Sequence, residues 1–334
     1  MEPNFIMADL NKLLDIFIIT YNREAQLAST LKQLCAANSP LNEAEITVLD
    51  NNSTDNTAKV IKEYSKINKN IKYIKNRYNN GLAGNLIKAM ELASKDYFWI
   101  LCDDDDYSWE SWPEIQKAMA DGYDIVMTTY TKGFRSEEIP FLINEMGFVP
   151  SAIYKTAHIN DTVIRNAYMM AYNLFPFHAL SCKIINENGR IFVPKNRTVL
   201  QSYEEKSHQV KKENKNLFYR INSFSLMWGY IDSYRMIKDK KLREQCFDVL
   251  ALGKGFFGSM IDFIDWPPFK MQNFCDIFLA VSFKKKILLL SSALVYLLSK
   301  NPIIWFYRTD SGINIRLFYF IKTKIIPFKK KKQL

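Results

Sequence analysis

The chain has 334 residues, 48% hydrophobic and 14% aromatic, which excludes a disordered chain and leaves room for one large core or two domains. Its five cysteines are odd in number and form no C-x-x-C pair, so they suggest neither a disulfide framework nor a zinc site and point to a reducing compartment. The net charge of +10 belongs to one end: Lys284 to Leu334 hold 12 Lys or Arg against one acid, Asp310, and the near-neutral remainder lacks the spread positive face of a nucleic-acid enzyme.

The first ten residues, MEPNFIMADL, lack the basic start and long apolar core of a secretion signal. Residues 15–19, DIFII, form a short β-branched run closed by Thr20, Tyr21, Asn22 and Arg23, and Leu27, Leu31 and Leu34 then recur at helical spacing. A second strand is predicted over 45–50, followed by the polar loop Asn51 to Thr57 and a helix through Val60, Ile61 and Tyr64. A third strand at 71–74 precedes the turn Asn79-Asn80-Gly81, a helix from 83 to 94 and a fourth strand at 97–101. Strands alternating with helices of this length predict an α/β fold with a mainly parallel sheet flanked by helices. Further on, 123–130 reads as a strand, FHALSCKIINENG as a helix capped by Gly189, and 191–193 as a strand. Residues 201–216 read as a polar loop, and helices rich in Phe, Tyr and Trp run from 217 to the end.

In such sheets ligands sit outside the carboxyl ends of the strands. The polar clusters TYNR, DNNSTDNT and CDDDD all fall there. Four consecutive carboxylates after an apolar strand repel one another, which favours a cation site over a solvated turn once the other two clusters converge on the same edge. Mg2+ or Mn2+ takes oxygen ligands and shares its shell with substrate phosphates, and Asp103 and Asp105 have the spacing to hold it. Asp104 and Asp106 then point toward a sugar hydroxyl or a supporting bond. Asp50 is either an acceptor for the imide N–H of a pyrimidine base or a turn aspartate bonding its own backbone. Asp55 and Thr57 read as turn and capping residues.

The segments IITYNREAQLASTL, ITVLDNNSTDNT, NNGLAGNLIKAME and DYFWILCDDDD, in that order, resemble the nucleotide-sugar-binding half of a family 2 glycosyltransferase with the GT-A fold. The resemblance covers the first 110 residues. It implies a donor site lined by Thr20, Tyr21, Asn22 and Arg23, by Asp50 and Asn52, by Asn80, Gly81 and Asn85, and by Asp103 and Asp104. Asp103 and Asp105 would be the metal-binding D-x-D pair, with Asp105 the direct ligand. Gly84-Asn85 stands where many members carry Arg-Asn. A sugar nucleotidyltransferase would need a Gly-rich phosphate loop after the first strand, and TYNREAQ has no glycine. A membrane-bound protein that binds the nucleotide sugar without turnover is a further alternative.

The family's second half binds the acceptor and supplies a base ahead of a helix that ends in Gly. His178 falls near that acidic position, and its ordinary pKa of about 6.5 suits a general base. Packing between Phe177 and Leu180 is the competing role. Asp161 is the alternate base or a helix N-cap. His208, in the polar loop, is the remaining donor-side candidate.

Residues 287–298 form an apolar run of twelve, which as a helix rises about 18 Å and is too short to span a bilayer. The aromatic and basic stretches after it suit an anionic membrane surface. The expected organisation is a catalytic domain over 1–220, split near 110 into donor and acceptor halves, and a helical membrane-associating region over 221–334. The enzyme is expected to be cytoplasmic and peripheral on the inner face of the membrane, with a glycan or lipid-linked glycan as acceptor and no nucleic-acid partner.

Overall fold

The computed structural model describes residues 7–129, 138–200 and 223–252. The chain divides into two compact units, residues 1–249 and 250–334. Helix α1 (Met7–Leu13) leads into strand β1 (Leu14–Thr20), and three helix–strand steps follow: α2 (Glu24–Leu34), β2 (Ile46–Asp50), α3 (Thr57–Tyr64), β3 (Ile71–Lys75), α4 (Gly81–Leu92) and β4 (Tyr97–Cys102). The ends of these strands and of α4 lie within two residues of those read from the sequence.

β1 pairs in parallel with β2 and with β4, placing Ile18 opposite both Val48 and Leu101, and β2 pairs in parallel with β3. Successive side chains divide between two cores, as the twofold strand period requires. Leu14, Ile16, Ile18, Trp99 and Leu101 pack with Leu27, Leu31 and Leu34 of α2, while Phe17, Ile19, Phe98 and Ile100 pack with Leu86, Ile87 and Met90 of α4. Burial on both faces explains why these strands are continuous apolar runs and not alternating ones.

The chain continues through β5 (Asp106–Tyr107), α5 (Trp112–Ala120), β6 (Ile125–Met127), α6 (Ile139–Glu145), β7 (Ala152–Lys155), α7 (Asp161–Met169), α8 (His178–Asn186), β8 (Ile191–Phe192), β9 (Val199–Leu200), α9 (Ser223–Arg235) and α10 (Lys240–Leu252). The seven-stranded sheet has the order β3-β2-β1-β4-β7-β6-β8, with β7 antiparallel to both neighbours, and β5 pairs separately with β9. The mainly parallel α/β architecture is therefore as expected.

Two details differ. Among the described residues of the strand expected over 123–130, the paired part is 125–127, and beyond it the backbone of Thr128 bonds Ser151, Thr198 and Val199. Gly189 does not itself take the left-handed position that ends α8. Asn188 does, with φ 57°, and the amides of Asn188 and Gly189 bond back to the carbonyls of Ile185 and Ile184. Glycine is still required at 189, since a Cβ there would meet Ile184 Cγ2 at 2.3 Å. α9 is tied to α8 through His178 and Ser233 and through the Cys182 thiol donating to the Ser233 carbonyl. His208, the apolar run 287–298 and the basic terminus lie outside the described residues, among which no helix is long and apolar enough to cross a membrane.

Candidate functional site

The carboxyl edge of β1, β2 and β4 is built by loops that hold one another. Asn22 adopts φ 51° after β1; its amide donates to Ser53 Oγ at 2.8 Å and its Oδ1 accepts from the Thr54 amide at 2.7 Å. Asp55 Oδ2 accepts from the Glu24 amide at 3.0 Å, and Glu24 carboxylate accepts from the Asn56 amide at 2.6 Å. Asx and N-terminal capping chemistry thus stitches loop to loop. Asn52 supplies a second left-handed turn, with φ 69°. Tyr21 projects from this laced edge and is 39% exposed.

Asp50 is fully buried. Its Oδ1 accepts from the Ser53 amide at 2.8 Å and its Oδ2 from the Tyr73 hydroxyl at 2.7 Å, which is the turn role. Contact with a nucleobase requires the Tyr73 hydroxyl to give way. Burial and the bond to Asp50 hold the Tyr73 phenol well above its ordinary pKa.

Asn85 is placed away from the open edge. Its Nδ2 donates to the Leu49 carbonyl at 2.9 Å and its Oδ1 accepts from Asn76, which also donates to Asn51. Asn51 in turn bonds Asn79, the Gly81 carbonyl and the Asn80 amide. This buried asparagine cluster joins the end of β2 to the start of α4, so Asn85 is architectural and corrects its assignment as a donor contact. Asn80 itself is exposed, and Gly81 has φ 73°. A Cβ at Gly84 would meet the Asn80 Cβ at 2.7 Å, so this turn has no room for the arginine many family members carry.

Thr20, Arg23 and the acidic tetrad converge. Thr20 Oγ1 donates to Asp103 Oδ2 at 2.7 Å, and Arg23 bridges Asp103 Oδ1 at 2.9 Å and Asp104 Oδ2. Both Asp103 oxygens are therefore engaged. Asp105 is buried and its Oδ2 has no hydrogen-bond partner. Cys102, Asp104 and Asp105 form one group whose donor atoms lie within 4.8 Å of each other, close enough for one ion. Burial, with repulsion from Asp104, pushes Asp103 up to about 6 against the pull of Arg23 and Thr20. Burial and repulsion from Asp104 and Asp103 push Asp105 up to about 7. One guanidinium does not neutralise this cluster, and a divalent cation fits both its charge and its unpartnered oxygen. Gln33 of α2, which sequence patterning gave no reason to select, holds the tetrad from behind: Nε2 donates to the Asp105 carbonyl and Asp106 Oδ1, and Oε1 accepts from the Tyr107 amide.

The two base candidates are corrected. His178 is fully buried, boxed by Phe175, Phe177 and Tyr230. Ser233 donates its hydroxyl hydrogen to the Gly229 carbonyl, so it accepts from His178 Nδ1–H at 2.7 Å. Burial drops the imidazole to about 4, and none of the side chain is open to solvent. Asp161 lies on the wrong side. It follows the turn whose His158 bonds Asp124, the residue before β6, and whose Thr156 amide bonds Asp96, the residue before β4. That is the amino edge of the sheet. Asn160 Oδ1, accepting from the Val163 amide, is the N-cap, and Asp161 is the first helical residue.

Residues 15–181 match the family described as Glycosyl transferase family 2. Over 260 residues the chain is 25% identical to a Campylobacter jejuni GalNAc(5)-diNAcBac-PP-undecaprenol beta-1,3-glucosyltransferase, covering 70% of this chain and 79% of the relative. A dolichol-phosphate mannosyltransferase from Pyrococcus furiosus is 31% identical over 127 residues, 38% of this chain and 36% of that one. Among solved structures, S. aureus TarS 1-349 in complex with UDP-GlcNAc is similar in fold, with TM-score 0.51 and 16% identity over 84% of this chain and 87% of that one. The family match runs from β1 into α8 and takes in both the laced loops and the acidic edge, and this chain belongs to glycosyl transferase family 2, a glycosyltransferase on the GT-A fold.

Proposed function

We propose that the enzyme transfers a sugar, with inversion, from a UDP-linked donor to a hydroxyl of a lipid-linked oligosaccharide, lipooligosaccharide or related surface glycan, with the help of Mg2+ or Mn2+. The observation that carries this is Asp105: a buried carboxylate with an unpartnered oxygen, set among three other acids at the carboxyl edge of the sheet. The C. jejuni relative is named for an undecaprenol-linked acceptor and TarS was solved with UDP-GlcNAc, which supports the same donor and acceptor classes here.

In this reading the acceptor oxygen forms its bond to the anomeric carbon as the bond from that carbon to the diphosphate breaks. The electron pair leaves with the diphosphate, and the hydroxyl proton passes to a base that is neither His178 nor Asp161. A bound Mg2+ or Mn2+ supplies positive charge against the leaving diphosphate. Asp104 and Asp105 hold it, while Thr20 and Arg23 keep Asp103 neutralised beside them. Tyr21 offers its exposed ring to the nucleoside, and Asp50 takes the imide N–H of the base when Tyr73 releases it. The basic, aromatic terminus keeps the enzyme on the inner face of the membrane, where a lipid-linked acceptor lies.

The test is UDP release from a panel of UDP-sugars with Mn2+ or Mg2+ and a lipid-glycan extract. Release from one donor that requires both metal and extract is expected. Release that persists in EDTA overturns the metal requirement, and release independent of extract overturns the acceptor. Full-length protein is expected to sediment with anionic vesicles at low salt; recovery in the supernatant overturns the membrane role.

A further inference from the structure

One donor at the acidic edge has no part in that mechanism, the Cys102 thiol. Cys102 ends β4, and its Sγ lies within 4.8 Å of a carboxylate oxygen from each of Asp104 and Asp105. Asp103, although closer in sequence, is turned to Thr20 and Arg23. Two further features point to a ligand at this group. Asp105 is only 4% exposed and its Oδ2 has no partner, so a residue of this group carries a buried acceptor with no donor to meet it. Gln33 fixes the same loop through the Asp105 carbonyl at 3.3 Å and the Tyr107 amide at 3.2 Å, bonds that leave Asp105 Oδ2 without a partner.

We propose that Cys102 is a third ligand of the divalent ion held by Asp104 and Asp105, so that the site prefers borderline and soft cations such as Co2+, Zn2+ and Cd2+ over Mg2+. Oxygen-only sites suit Mg2+, whereas a thiolate adds affinity for softer ions. Ion binding replaces the thiol proton, which passes to solvent. The inference rests on the metal-dependent reading of the edge and goes beyond it by naming a sulfur donor.

Co2+ titrated into the full-length protein reads this directly. The wild type is expected to show a thiolate-to-cobalt charge-transfer band that Cys102→Ser and Cys102→Ala both lack. Zn2+ affinity should fall about tenfold or more in both variants, with Mn2+ affinity changed by less than about threefold. Circular dichroism checks that the variants fold. A measurement without variants runs beside it: Zn2+ should protect Cys102 of the wild type from alkylation, read by peptide mass spectrometry, and leave Cys35 unprotected. Co2+ binding without the band, or alkylation of Cys102 unchanged by Zn2+, overturns the sulfur ligand. If Mn2+-dependent UDP release survives that result, only this proposal falls. If none of Co2+, Zn2+ and Mn2+ binds the wild type, the metal-dependent reading falls with it.

Discussion

The two halves of the sheet place their polar residues by different means. Between Leu14 and Tyr107 each polar cluster directly follows a parallel strand, so the strand's register alone delivers it to the carboxyl edge. Between Tyr123 and Leu200 the sheet admits the antiparallel β7, and polar residues after it are delivered to the opposite edge. Asp161 and His178 were both candidates for the base, His178 through the family resemblance and Asp161 as its alternate or as a helix N-cap. One sits on the amino side, and the other, on the correct side, is turned into the core. A residue after a parallel strand inherits its position from local sequence, whereas one after a helix depends on what packs against that helix.

The sharpest way to break this comparison is at the tetrad. Asp105→Ala is expected to lower kcat by about 10³-fold or more, since an ion-organising carboxylate acts on the charge that develops in the transition state. It should not lower the thermal stability of the metal-free protein, because Asp105 Oδ2 has no partner to lose. Asp105 titrates near 7 in the fold against about 3.8 unfolded, so between those values the native state binds the extra proton and wild-type stability falls as pH rises from about 4 to 7. The variant should lose that slope in EDTA. Residual turnover within about tenfold of wild type removes the carboxylate from the mechanism.

His178→Asn tests the second half. An asparagine amide can replace Nδ1–H toward Ser233 without titrating. In the wild type the imidazole, at about 4 against 6.5 unfolded, binds fewer protons in the fold, so stability present above pH 6.5 is lost as pH falls toward 4, about 3 kcal/mol in all. This runs opposite to Asp105 over an overlapping window, so each slope is read as variant minus wild type from denaturant midpoints. The variant should lose the acid sensitivity and keep kcat within about threefold. A loss of about 10³-fold in kcat with an unchanged acid slope would restore His178 as the base.

Much of the donor half was legible because its chemistry is contiguous. TYNR and CDDDD sit beside their strands, and Thr20, Arg23, Asp103 and Asp104 do meet. Less legible was which polar residues are consumed by the scaffold. Asn85 has the same composition and spacing as a ligand contact, yet it closes a buried amide cluster with Asn76 and the Leu49 carbonyl, partners 9 and 36 residues away. Gln33 was missed because it lies on a helix 72 residues from the Asp105 carbonyl it binds. The short β7 was missed because AIYK is too brief to show a period. Asn85→Ala puts a number on the scaffold role: it should cost about 2 kcal/mol of stability by leaving the Leu49 carbonyl and Asn76 short of partners. Donor KM should stay within about twofold, and a selective rise in KM without loss of stability would return Asn85 to the donor site.

The smallest effect is the most discriminating for Asp50. Tyr73→Phe removes one bond to a buried carboxylate, and the ring still covers it, so stability should fall by about 1 kcal/mol. If Asp50 meets the nucleobase only after the Tyr73 hydroxyl withdraws, the variant no longer has to break that bond. Donor affinity, measured by calorimetry with UDP, should then rise about twofold to fivefold, the larger part of the hydrogen bond's net worth. Unchanged or weaker UDP binding at the same loss of stability would leave Asp50 as a turn residue alone. The donor edge and the acceptor half would then share one rule, that a buried carboxylate or imidazole with good protein partners on this sheet serves the fold, and Asp105, buried with an oxygen left over, would stand apart from both.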